Sequence, residues 1–137
     1  MKAAVRYYTR SGNTEKLARA VAGALALPFE SIDLPLTEPV DVLFLGCSYY
    51  AFDMDPQVKR FLQENRDKIG RVACFGTSAM MKSMKKPMMR LLKALEIPLC
   101  EEEFHCRGHF KFANKGRPNE EDEQAAAAFA VQVMQSL

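Results

Sequence analysis

The stretch VRYYTRSGNTEKLARAVA, residues 5–22, decides the fold. Val5, Tyr7 and Tyr8 belong to a β-branched and aromatic run that reads as a strand from residue 3 to residue 8. Six small or polar residues then follow, Thr9-Arg10-Ser11-Gly12-Asn13-Thr14. Beyond them Leu17, Val21 and Leu25 recur on one helical face, with Asn13 or Thr14 near the helix start. A strand that passes through a short polar loop into a helix is the opening of an alternating β/α chain.

The remaining residues continue that alternation. PFESID is a short strand of mixed polarity, whereas DVLFLGCS and RVACFGTS are continuous apolar runs, the pattern of strands covered on both faces. Asp55-Pro56 opens a helix with Val58, Phe61 and Leu62 facing inward, and proline suits a first helical position. A third helix is expected to start close to Pro87 and to bury Met88, Leu91, Leu92 and Leu95. PLCEEEFHC alternates imperfectly and carries Glu101 and Glu103 on one face, as an edge strand would. Asn119 caps a last helix whose first turn, Glu120 to Glu123, is acidic and favours the helix dipole. Alanines 125–128 suit close packing of that helix on a sheet.

Strands alternating with helices imply a parallel sheet with helices on both faces. The two most apolar strands belong beside the first, and the more polar ones at the edges. The expected architecture is a three-layer α/β sandwich, residues 1–137 as a single domain, with a five-stranded parallel sheet in the order 2-1-3-4-5. Such a sheet has a crevice at the carboxyl ends of strands 1 and 3.

Composition narrows the function classes. The chain has 137 residues, 48% apolar and 26% charged, with a net charge of +2. That charge is too small to argue for nucleic acid, and the cations are not interleaved with aromatics along one face. No apolar run approaches the roughly 20 residues of a membrane span. The start lacks the apolar core of a signal peptide, so a cytoplasmic protein is expected. Cys47, Cys74, Cys100 and Cys106 show no zinc-like spacing and suit strand interiors as reduced thiols. His105 and His109 flank Cys106 too irregularly to predict a metal site.

The loop of residues 9–14 sits at the crevice, directly before a helix N-terminus. Unpaired amides and a partial positive charge at that end hold phosphate well. Gly12 lets the loop turn its amides inward, Thr9, Ser11 and Thr14 add hydroxyl donors, and Arg10 adds charge. A capped turn alone would need one hydroxyl. The dinucleotide fingerprint G-x-G-x-x-G and the P-loop are both absent. No acidic residues follow the first strand, as a receiver domain would require, and no cysteine is followed six residues later by arginine, as in a cysteine phosphatase. A phosphomonoester held by Thr and Ser hydroxyls remains.

On these residues the sequence resembles the flavodoxin family. YTRSGNT is similar to its phosphate loop, (T/S)-x-(T/S)-G-x-T; GCSYYAFDMDPQVKRFL to its second loop; CFGTSAM to its third; and residues 104–130 to the C-terminal segment of short members. The resemblance implies noncovalent FMN and a low-potential electron carrier between redox proteins. It implies that Thr9, Arg10, Ser11, Gly12, Asn13 and Thr14 hold the FMN phosphate. Tyr49, Tyr50, Ala51 and Phe52 would line the isoalloxazine ring, and Thr77, Ser78 and Ala79 would meet its pyrimidine edge with backbone groups. No catalytic residue is implied. Flat aromatics at the end of a central strand also suit a flat ring.

The chain departs from the family in being slightly basic where flavodoxins are acidic. It lacks a loop glycine after Thr77-Ser78, a glycine in YYAFDMD, and any tryptophan. Five of eight methionines lie between Met80 and Met89, beside Lys82, Lys85 and Lys86. Met88 and Met89 would pack the third helix; Met80, Met81 and Met84 suit either the core or a docking surface. The lysines would favour a partner with an acidic face. Two alternatives to the carrier stand: a small FMN-dependent NAD(P)H:quinone-type reductase, and a binding module of the same fold that has lost the flavin.

Overall fold

The computed structural model describes residues 1–50, 53–79, 82–109 and 113–137, without the side chains of Tyr49, Tyr50 and Asp53. In chain order the elements are β1 (Ala3–Tyr7), α1 (Asn13–Leu25), β2 (Phe29–Ser31), β3 (Val42–Tyr50), β4 (Asp53–Met54), α2 (Pro56–Asn65), β5 (Val72–Ser78), α3 (Lys85–Ala94), β6 (Leu99–Arg107) and α4 (Glu120–Ser136). Five parallel strands pair in the order β2-β1-β3-β5-β6, the expected 2-1-3-4-5 arrangement. The addition is β4, two residues that pair antiparallel with the end of β3.

The apolar runs at β3 and β5 are the sheet centre. Every residue of β5 is buried, and Val42, Leu43, Phe44, Leu45 and Cys47 are fully so. Each Val, Leu and Phe among them contributes roughly 1.5–3 kcal/mol by leaving water. Alternation divides them between two cores. Leu43, Leu45, Cys47 and Cys74 face α2 and α3, which supply Val58, Phe61, Leu62, Met88 and Leu92. Val5, Phe44 and Phe75 face α1 and α4, which supply Leu17, Val21, Ala126, Phe129 and Val133. Phe129 meets Phe44 edge-on at 6.1 Å between ring centroids. All four cysteines are buried free thiols, and burial pushes those of Cys47 and Cys106 up to about 12.

Two glycines make the packing possible. A Cβ at Gly46 would lie 2.4 Å from the Phe75 ring and 2.9 Å from the Thr14 methyl. One at Gly76 would lie 2.0 Å from the Cys47 carbonyl oxygen and 2.3 Å from the Met84 methyl. Met84 is therefore core: fully buried, with the Cys47 thiol 3.4 Å from its sulfur. Met88 is buried as expected, but Met89 is 49% exposed on the outer side of α3. Met80 and Met81 lie outside the described residues.

Helix ends follow the sequence closely. Asp55 caps α2 by accepting from the Gln57 amide at 2.9 Å, with Pro56 in the first position. Asn119 and Asp122 form a reciprocal capping box at the start of α4, both bonds 2.9 Å. The third helix starts at Lys85, two residues before Pro87. First-turn amides have no intrahelical acceptor, so a proline there removes nothing. Among the described residues no helix is long and apolar enough to cross a membrane.

Candidate functional site

Parallel pairing brings the carboxyl ends of β1, β3, β5 and β6 to one edge of the sheet, and the loop of residues 8–12 lies there. Gly12 closes the loop at φ +89°, a left-handed conformation that costs glycine little. Its amide donates to Thr9 Oγ1 at 3.0 Å, which folds the loop onto itself. Gly12 also occupies the cap position of α1 and brings no side chain to cap it. The first-turn amides of α1 are thus left for an outside acceptor, whereas Asp55 and Asn119 serve those of α2 and α4.

Beneath the loop lies a buried triangle of hydroxyls. Thr14 Oγ1 is 2.6 Å from Ser48 Oγ and 3.2 Å from Thr77 Oγ1, and Ser48 and Thr77 are 3.1 Å apart. Thr14 is fully buried, Ser48 and Thr77 almost so. Ser48 and Thr77 are partners across the β3–β5 ladder, so register sets their approach. Three hydroxyls carry three hydrogens, and three edges use them all. The triangle fastens the first turn of α1 to the two central strands.

The loop is fastened at its flanks too. Arg10 Nη2 pairs with Asp55 Oδ2 at 2.5 Å. Burial of Asp55 opposes its charge, but the Gln57 amide, the Arg10 guanidinium and the Tyr8 hydroxyl outweigh it and hold the carboxyl below its ordinary range. The Gln57 amide nitrogen donates to Tyr8 OH at 3.2 Å. Tyr7 OH donates to Glu15 in the first turn of α1 at 2.6 Å; that bond, with burial, pushes the phenol up to about 12. Asn13 Nδ2 donates to the His109 carbonyl at 3.0 Å, joining the loop to the segment after β6.

The structure places the expected site residues as follows. Thr9, Arg10, Ser11, Gly12, Asn13 and Thr14 form one loop, with Arg10 and Ser11 exposed and Thr14 turned into the hydroxyl triangle. Thr77 belongs to the same triangle. Ser78 Oγ lies 2.9 Å from His105 Nε2, and its carbonyl accepts from the Gly108 amide at 3.0 Å. The Ala79 carbonyl accepts from Asn114 Nδ2 at 2.9 Å and Arg107 Nη1 at 3.2 Å. Tyr49 and Tyr50 end β3 with their side chains outside the described residues, as are Ala51 and Phe52 entirely. Sequence reasoning missed Ser48, Asp55 as the partner of Arg10, and the clasp of Asn13, Arg107 and Asn114. Among the described residues no three His, Cys, Asp or Glu side chains gather as a metal site.

A flavodoxin from the domain Archaea superposes with a TM-score of 0.79 over 99% of this chain and 98% of its own, at 18% identity. This chain has the flavodoxin fold. Flavodoxin 1 from Bacillus cereus is similar over 100% and 99% of the two chains, with a TM-score of 0.72 and 21% identity. A flavodoxin, WrbA-like protein from Agrobacterium tumefaciens gives 0.71 over 98% and 95%, at 17% identity. No family model and no curated protein matches the sequence. At these identities the likeness is one of flavodoxin fold, and ligand chemistry rests on the residues themselves.

Proposed function

We propose that the protein binds FMN without a covalent bond and serves as a low-potential electron carrier between redox proteins in the cytoplasm. The observation that carries this reading is the loop of residues 9–14, closed through Gly12 over an α1 N-terminus that has no side-chain cap. These residues fit a dianionic phosphate. The first-turn amides of α1 and the loop amides other than that of Gly12 would donate to it, the exposed Ser11 would add a hydroxyl, and the helix dipole would add partial positive charge. Arg10, held in place by Asp55, would bring guanidinium donors to the same side of the loop.

Bound FMN would supply the electron-transfer chemistry, and the protein would set orientation and access. Thr77 and Ser78 end a fully buried strand and Ala79 follows it; Thr77 is held by Thr14 and Ser48, Ser78 by His105, and the Ala79 carbonyl by Arg107 and Asn114, so this edge of the site is braced by several bonds. Reconstitution tests the reading. Adding FMN to apoprotein should quench flavin fluorescence and leave a yellow protein after gel filtration. Steady NAD(P)H oxidation with a quinone by that protein would favour the reductase. An apoprotein that leaves FMN fluorescence unchanged would favour the module without flavin.

A further inference from the structure

The outer face of α3 carries charge that the fold does not use. Lys86, Arg90 and Lys93 are exposed at spacings of four and three, one row along about 10 Å of α3, with Met89 exposed beside them and Lys82 exposed in the bend just ahead of the helix. No acidic residue occurs from Lys82 to Leu95. Among the described residues none of these four cations has a carboxylate partner.

The cations at the start of α3 work against helix stability, whereas Lys93 in the last turn suits the dipole. Lys85 and Lys86 stand in the first turn, where the dipole is already positive and cations are unfavourable. The other helices do the opposite: Glu15 stands in the first turn of α1, Asp55 caps α2, and Glu120 to Glu123 begin α4. The neighbouring strand β6 compensates. Glu103 of β6 accepts from the Met84 amide at 3.1 Å and the Ser83 hydroxyl at 2.6 Å, and Lys85 Nζ donates to the Glu101 carbonyl at 2.8 Å. The inner side of the helix start is thereby satisfied and the outer side is left strongly positive.

The face also has a place. Residues 79–84 alone separate β5 from α3, so Lys82 and Lys86 stand at the sheet edge that holds Thr77 and Ser78. The charge is local: α4, on the opposite side of the sheet, starts with four acidic residues, and the chain totals only +2. A long polyanion would meet both signs, whereas a compact acidic patch would meet only α3. Met89 gives that patch an adaptable apolar contact at its centre, as protein interfaces use and phosphate backbones do not.

We propose that the exposed face of α3, together with Lys82 just ahead of it, docks the acidic face of a redox protein, with Lys82, Lys86, Arg90 and Lys93 facing its carboxylates and Met89 seated among them. The proposal rests on the carrier reading for its purpose but not for its detection. The test is a nitrogen-15 NMR titration of the FMN-loaded protein with the acidic haem domain of cytochrome b5, and with basic cytochrome c as the opposite probe. The acidic probe should shift α3 amides, and its affinity should fall steeply as salt rises to about 0.15 M. Lys86→Glu with Arg90→Glu should weaken it at least tenfold, whereas Lys16→Glu with Arg19→Glu on α1, the same change of charge, should weaken it less than threefold. Flavin absorbance and the apoprotein spectrum should be unchanged by either pair. Shifts centred elsewhere, equal effects of the two pairs, or tighter binding of cytochrome c would overturn the proposal. So would tighter binding of oligothymidylate or phosphatidylserine vesicles to the same face. If FMN fails to load, the carrier reading fails, and the titration of apoprotein still decides the docking face.

Discussion

Replacing Thr14 by valine removes one corner of the hydroxyl triangle at nearly constant volume. The wild-type arrangement uses three hydrogens on three edges of 2.6, 3.1 and 3.2 Å. In the variant Ser48 and Thr77 keep one edge between them. One hydroxyl then donates and the other loses its acceptor while buried. An unsatisfied buried donor costs about 1–3 kcal/mol, and valine and threonine differ little in helix propensity. Thr14→Ser keeps the oxygen but removes the methyl that packs over Gly46, a loss of about 1 kcal/mol for one buried carbon. Urea unfolding of apoprotein, followed by far-ultraviolet circular dichroism, should rank wild type above serine and serine above valine. A valine variant as stable as wild type would refute the claim that the triangle fastens α1 to the sheet.

Gly76→Ala puts a carbon 2.0 Å from the backbone oxygen of Cys47, which cannot yield without parting β3 from β5. We expect a loss of about 3 kcal/mol or more in the same unfolding assay; a loss under about 1 kcal/mol would contradict the packing. Asp122→Ala removes half of the α4 capping box, worth about 1–2 kcal/mol, with a smaller share from the half-exposed Arg117. The bond from Arg117, ahead of the opposing effect of burial, holds the Asp122 carboxyl below its ordinary range. The stability gap between wild type and variant should therefore be full above about pH 4 and close as pH falls through the lowered value. A gap that persists unchanged at pH 2 would contradict it.

The sheet order was legible because burial writes itself into composition: the runs at β3 and β5 are apolar on both faces, and those at β2 and β6 are not. Helix starts at Asp55 and Asn119 were legible because a cap is a local event. What escaped depends on register. Ser48 closes an apolar run and reads as the strand's end; only pairing with Thr77 turns it toward Thr14. Glu103 alternates like an exposed edge residue, yet the β5–β6 register sets it opposite Cys74 and under the start of α3. Met84 precedes its helix, so no periodicity marks it as core. β4 is too short to leave a pattern. The loop of residues 9–14 showed itself through residue chemistry alone, while Ser48, Asp55, Thr77 and His109, which brace it, lie 34 or more positions from their partners in it.

The phosphate is the feature that the loop would recognise, so the most direct test compares FMN with riboflavin, which lacks it. Dissociation constants of both should be measured by fluorescence quenching on the same apoprotein at fixed salt. Two charge-assisted hydrogen bonds at about 1.5 kcal/mol each set a lower bound of about a hundredfold in favour of FMN. Ser11→Ala should narrow that ratio by weakening FMN alone. Equal affinity for the two flavins would contradict the account, because residues 9–14 would then not be the anchor.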